Sequence, residues 1–405
     1  MTDSNWQQLN RRQFLKFGSM GLSAIAIGGA GGWSLFGNSV AHAATGTTIN
    51  LTMVEAEVEM IDKVVVPMWA YSSDLVPDFP ARIPGASLFV MAGEEVTIQV
   101  TNQIPNGGLH GFSIPGVVRT GPIAFGQSRT VTFIAPQAGT YFYYDAENFP
   151  VNRVMGLHGA LVVLPNPATT NTPYGNPTAN VQQLFDDFGV APHFPGQPWD
   201  PNRNSVWVFN TVDPNRNAEA YGHATGIDPA VFTAAAGPNR YLPQYFTING
   251  ESGFFGAQHA HGPDGHATHN TPDAQRHISI RGHIGQPCVI RNLNAGLMWH
   301  SPHIHGNHVY VLAENRTVQG DLQLVDTWSM PPGQIKDVLL PYIAPPDIPP
   351  NFWARVAAGT NDEIFPLFYP MHDHNEISNT AAGANYPQGL VTHWQIDGPP
   401  LIGPA

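Results

Sequence analysis

Short stretches in which apolar and polar residues alternate recur along almost the whole chain, and Gly, Pro or Asn closes each one. "TTINLTMVEAEV", "SLFVMAGEEVTIQVTNQI", "RTVTFIAPQAGTYFYYDAEN" and "GLHGALVVLP" lie in the first part, and "SVWVFNTVD", "YFTING", "HISIRGHIGQPCVIRNLN", "HVYVLAEN" and "LVTHWQID" repeat the pattern later. A period of two puts every second side chain on one face of a strand, so such stretches bury one face only against a second sheet. With 41 Gly and 38 Pro spread through 405 residues, turns are frequent enough to cut any long helix. The pattern predicts an all-β chain of two Greek-key β-sandwich domains. The first spans 44–166, a polar Pro/Asn/Thr linker covers 167–203, the second sandwich spans 204–398, and a tail covers 399–405.

The first 43 residues are set apart from the fold. "NRRQFLKFG", a mild Gly/Ala-rich apolar stretch and "AHA" before Ala44 have the form of a twin-arginine export signal with a small-residue cleavage site. The expected location is therefore periplasmic or extracellular, with no stable membrane insertion, because a stretch so rich in Gly and Ser is weakly apolar for a span. The whole chain carries −13; residues 1–43 contribute +2 (Arg11, Arg12 and Lys16 against Asp3), which leaves −15 for the rest. Nucleic acid is excluded as a partner at that charge. The single cysteine, Cys288, lies in an alternating strand far in sequence from the histidine pairs, and reads as a buried small side chain.

Chemistry concentrates in two His-x-His pairs, "HSPHIHG" and "HDH". In a strand, residues i and i+2 share a face, so His303 and His305 aim one way, as do His372 and His374. If their strands are neighbours, four neutral imidazoles converge, a donor set that suits copper or zinc. Asp373, between the second pair, faces the opposite way and is placed to pair with His300. A further loop, 257–270, carries His259, His261, His266 and His269 within eleven residues and reads as a solvated surface loop that could chelate a metal. His158 and His393 read as structural, and Met371 as core.

In order and spacing these motifs resemble the multicopper oxidase family, whose sandwiches are cupredoxin domains. "GGLHGFSIPG" resembles its first His-x-His-Gly motif, "GTYFYYDAEN" with "GLHGALVV" its second, "HSPHIHG" its third, and "HDH" its His-Cys-His fourth. The resemblance implies two cupredoxin-like domains and a copper cofactor. It also implies a damaged ligand set. Gly108, Tyr144 and Ala146 stand at three positions of the copper cluster, Asp373 stands at the thiolate position, and Ser378 at the second blue-copper His.

Carried over residue by residue, His110, His303, His305, His372 and His374 remain as metal ligands, with His300 at the old blue-copper position. Tyr144, Asp145 and Asp373 are the candidates for a catalytic role. Without a thiolate, laccase activity is not expected.

Two sandwiches resemble the two-domain members of the family, which implies a homotrimer with sites shared between subunits and His110 supplied across the boundary. The leading expectation is an exported copper-dependent oxidoreductase with a mononuclear, type 2-like His site, acting on a small molecule whose identity the sequence does not encode. The alternative is a non-catalytic cupredoxin scaffold or cell-envelope stress protein. A third reading, copper storage or delivery, rests on the loop at 257–270.

Overall fold

The computed structural model describes residues 40–42, 48–73, 81–257, 278–348, 352, 355, 365–383 and 385–401. The architecture is all-β, and the alternation seen in the sequence sets it. In Thr48–Glu59, Ile49, Leu51 and Met53 are buried while Glu55, Glu57 and Glu59 reach solvent; in Glu95–Asn102, Val96, Ile98 and Val100 are buried. These two strands run parallel to one another and join Val65–Ser73 and Ser128–Ile134 in a four-stranded sheet. Its inner face packs on a six-stranded sheet that contains Ser87–Met91, His158–Leu164 and Gly139–Tyr144, where Leu88, Val90, Tyr141, Tyr143 and Leu161 meet it. Val40–His42, inside the expected leader, pairs with Ser87–Met91 at the edge of that sheet.

The second half repeats the plan. A six-stranded sheet contains Asn204–Val212, Cys288–Asn294 and Ile335–Leu340, and a four-stranded sheet contains Ile280–His283, Val391–Gly398, Leu367–Asp373 and Pro302–Ile304. Trp207, Phe209, Ile290 and Val338 of the larger sheet close on Ile304, Met371, Trp394 and Ile396 of the smaller. Burying a side chain of this size stabilises by roughly 1.5–3 kcal/mol, so two such cores dominate the folding energy.

The two larger sheets pack on each other. Phe89, Phe142, Ala160 and Val162 from the first half meet Val206, Val208, Leu293 and Ala295 from the second. At the edge of this contact Asp337 accepts hydrogen bonds from Arg291 Nη1 (2.7 Å), Thr140 Oγ1 (2.6 Å) and Tyr174 OH (2.9 Å). One buried carboxylate thus ties three segments of the chain together.

The segment 167–203 is more than a polar connection. Its helix Ala179–Asp187 buries Val181, Leu184 and Phe185, and with Phe188 and Trp199 these cover Val289, Leu312 and Leu339 on the second half. Positions 181, 184, 185 and 188 are the spacing of one helical stripe. The flanking Pro, Asn and Thr residues obscure that stripe in the sequence.

His158 is fully buried, and its Nδ1–H donates to the Arg153 carbonyl at 2.7 Å. Burial pushes its pKa down to about 4 from 6.5. Between those values the unfolded chain takes up a proton that the folded chain refuses, so stability is complete above pH 6.5 and falls as the pH drops towards 4. At 1.36 kcal/mol per unit the full effect is about 3 kcal/mol. Urea unfolding of a His158→Gln chain is expected to show a correspondingly flatter loss between pH 6.5 and 4.

Candidate metal centre

Pro302–Ile304 and Leu367–Asp373 are antiparallel neighbours, with His303 directly opposite His372 and Pro302 opposite Asp373. That register brings the two His pairs onto one face. One donor atom from each of His303, His305 and His372 fits within 4.8 Å, the only group of three or more such residues among those described. His305 Nε2 and His372 Nε2 are 3.1 Å apart. Two nitrogens bound to one ion at about 2.0–2.1 Å would lie about 3 Å apart, so this spacing fits a shared metal. The His374 ring lies beside this group, 4.3 Å from His303 and 5.3 Å from His372 between centroids.

Hydrogen bonds fix which nitrogens face inward. His303 Nδ1–H donates to the Asp326 carbonyl at 2.9 Å, and His372 Nδ1–H donates to the Asp373 carbonyl at 3.1 Å. Each leaves Nε2 as a lone-pair donor, the arrangement in which a backbone acceptor holds the tautomer of a metal-binding imidazole. Trp394 Nε1–H donates to the His305 carbonyl at 2.8 Å and anchors that end of the pair. Burial lowers the pKa of both His303 and His305; neighbouring His374 lowers the first further, and His372 the second. Neutral imidazoles are therefore favoured, which is the state a metal requires. His305 and His374 remain exposed, so one side of the cluster is open to small molecules.

Behind the cluster, Asp373 is buried on the opposite side of its strand. Its Oδ2 accepts from His300 Nδ1–H at 2.6 Å, and its Oδ1 accepts from the backbone N–H of Ser301 (2.6 Å) and Asn375 (3.0 Å). His300 is wholly buried and packed between Phe209 and Phe246. Asp373, at the position where the resemblance places the thiolate, instead holds His300 through Nδ1. Cys288 does not supply a replacement: it lies in the other sheet, buried, and burial raises its thiol pKa. Ser378 is buried too, and its Oγ has no hydrogen-bond partner among the described residues.

Asp373 staples Ser301 and Asn375, each within two residues of a cluster histidine. Loss of an orienting partner of this kind typically costs 10–100-fold in metal affinity. A Asp373→Asn chain, measured by competition with a chelator, is expected to bind copper at least tenfold more weakly while still holding one ion.

His110 and the other first-half candidates lie elsewhere. His110 is 1 % exposed, and its Nδ1–H donates to Asp145 Oδ2 at 3.1 Å. Thr225 and Gly226 of the same chain border the pocket beside it. Tyr144 packs against Phe142 and Phe149, with the Arg153 guanidinium 5.9 Å from its ring centroid. Within one chain none of His110, Tyr144 and Asp145 belongs to the histidine cluster. The reason is tertiary: these residues sit on the first sandwich, whose contact with the second is made by the large sheets. His393 packs on Phe368, and Met371 is core. The histidines of loop 257–270 lie outside the described residues.

Comparison with known proteins bears on the fold. Residues 71–168 match the multicopper oxidase family profile. This stretch is similar to a multicopper oxidase domain. Over the longer chain the fold is shared with the blue copper oxidase of Nitrosomonas europaea, at 19% identity over 85% of this chain and 84% of that one, with a TM-score of 0.58. A multicopper oxidase crystal structure aligns at 17% identity over 93% of this chain and 100% of its own, with a TM-score of 0.54. The copper nitrite reductase of N. europaea aligns at 14% identity over 86% and 93%, with a TM-score of 0.52. No curated protein sequence matches the chain. The matched stretch, 71–168, does not include the histidine cluster, so the cluster must be judged on its own geometry.

Proposed function

We propose that the protein is an exported copper-dependent oxidoreductase with a single, thiolate-free histidine site. His303, His305 and His372 hold the ion and His374 completes the set. The observation that carries this is the convergence of three imidazole donor atoms within 4.8 Å, with backbone carbonyls fixing the tautomers of His303 and His372. An all-imidazole set favours copper over earlier divalent metals. Copper held there would supply one-electron redox chemistry. The chain's own contribution is to orient the four rings, to keep them neutral and to leave one side open for a small substrate.

The missing thiolate argues against a second redox centre, and with it against four-electron reduction of dioxygen. The reading therefore excludes laccase chemistry. Export through the twin-arginine pathway to the periplasm or beyond rests on Arg11, Arg12 and the following apolar stretch. Among the described residues no helix is long and apolar enough to cross a membrane. A homotrimer completes the proposal: Trp299 (56 % exposed) and Ile377 (50 % exposed) flank the cluster, and Leu109 (58 % exposed) stands on the first sandwich, apolar groups suited to a subunit boundary. His110 Nε2, the nitrogen left after Nδ1–H is given to Asp145, is covered by Asn106 at 2.9 Å on a ring only 1 % exposed, so the metal set proposed comes from one chain.

Metal analysis after copper loading tests the reading. About one tightly bound copper per chain supports it. A chain that retains none would be the non-catalytic scaffold instead.

A further inference from the structure

Trp394 joins the histidine cluster to a second aromatic ring. It is wholly buried, and besides donating from Nε1–H to the His305 carbonyl at 2.8 Å it stacks on Tyr369, with ring centroids 4.9 Å apart and planes at 22°. Gly306, directly after His305, has a φ of +75°, and a Cβ there would collide with the Tyr369 ring. Glycine is what lets that ring lie against the backbone of the histidine pair. Tyr369 is partly buried, and its OH donates at 3.1 Å to Oδ1 of Asp347, an exposed residue. One line of contacts thus runs from the carbonyl of a metal ligand through an indole and a phenol to a surface carboxylate.

Indole and phenol are among the side chains that give up a single electron most readily, and a phenol does so with loss of its proton. Burial raises the pKa of Tyr369 and the neighbouring Asp347 raises it further, so the resting group is the protonated phenol. Asp347 is placed to take that proton. The other tyrosine on Trp394 is differently situated: Tyr342 meets the indole edge-on, at 5.1 Å and 80°, and is wholly buried. The Arg203 guanidinium stands 5.1 Å from its ring centroid, a positive charge that opposes removal of an electron. Tyr369 is therefore the end of the route. Such a route matters here because no thiolate lies beside the cluster to deliver an electron, Cys288 being buried in the other sheet.

We propose that Trp394 and Tyr369 carry electrons between the histidine site and the surface, and that Tyr369 supplies the second electron when hydrogen peroxide meets the reduced site. This rests on the copper reading above. Peroxide takes up two electrons and two protons as its O–O bond breaks, and leaves as two waters. One electron comes from copper(I), which is oxidised to copper(II). The other comes from Tyr369 through the Trp394 indole and leaves a neutral tyrosyl radical, while the phenolic proton passes to Asp347 and on to solvent. Solvent supplies the two protons that peroxide consumes. Without the route, the second electron is drawn from the histidine rings themselves.

The full chain, copper-loaded and with its copper counted, is reduced by ascorbate, freed of excess reductant, mixed without air with an equal amount of hydrogen peroxide and frozen for electron paramagnetic resonance. A parallel sample is digested for mass spectrometry. The wild-type chain is expected to give an organic radical signal that narrows when ring-deuterated tyrosine is incorporated. That signal should be lost in Tyr369→Phe, which keeps the ring stack, and fall severalfold in Asp347→Asn, where an exposed side chain leaves the fold untouched. Oxygen addition to His303, His305, His372 and His374 should rise severalfold in Tyr369→Phe and in Trp394→Phe; the Tyr369 variant decides the matter should the buried Trp394 change disturb folding. An undiminished radical in Tyr369→Phe, or equal histidine oxidation in that variant and the wild type at full copper content, would overturn the proposal. A wild-type chain that holds no copper would overturn the copper reading and this proposal with it.

Discussion

Changing His305 and His372 together to Ala is expected to abolish tight copper binding, taking the stoichiometry from about one per chain to near zero. These two residues present the closest pair of donors, Nε2 to Nε2 at 3.1 Å, and they come from different strands. With both gone, His303 and His374 remain as a two-imidazole remnant, open to solvent on one side. Both changed side chains are partly exposed, so the fold should survive and unfolding by urea should move little. Retention of one tight copper in the double variant would locate the site elsewhere, with loop 257–270 the first place to look.

The second large effect is on stability. Asp337→Ala is expected to destabilise by about 3–5 kcal/mol, because it leaves the fully buried Arg291 guanidinium without its charge partner. It also strands the hydroxyls of Thr140 and Tyr174, which reach Asp337 from the other half of the chain and from the connecting segment. Total stabilities are ~5–15 kcal/mol, so such a loss should be plain in a urea midpoint. A companion chain with Arg291→Met and Asp337→Leu removes both charges at similar volume and should recover most of the loss. If the single variant unfolds at the wild-type midpoint, the carboxylate does not tie the halves together.

Much of this was legible in the sequence, for physical reasons that differ by element. Strands such as Thr48–Glu59 announce themselves because a two-residue period survives in the order of Ile49, Leu51 and Met53. The histidine pairs were legible for the same reason: i and i+2 must share a face, which also turned Asp373 away from the cluster and towards His300. The helix Ala179–Asp187 was not, since nine residues hold only two turns of pattern between turn-forming neighbours. Nor was the fate of His110. Its motif is local, but its surroundings come from Asp145, Asn152 and the 225–226 segment, up to more than a hundred residues away, and no spacing rule records that. The Arg291–Asp337 pair escaped similarly, because a buried charge looks like a surface one until its partners are known.

The central claim is a copper site built from imidazoles with no thiolate. The most direct test is the optical and electron paramagnetic resonance spectrum of the copper-loaded protein, recorded with a metal count. The expected result is about one copper per chain with a type 2 spectrum, hyperfine coupling to several imidazole nitrogens, and no intense absorption near ~600 nm, the region of thiolate-to-copper charge transfer. An intense band there, accompanied by a narrow copper hyperfine splitting, would mean that Cys288 reaches the metal and would contradict the site described.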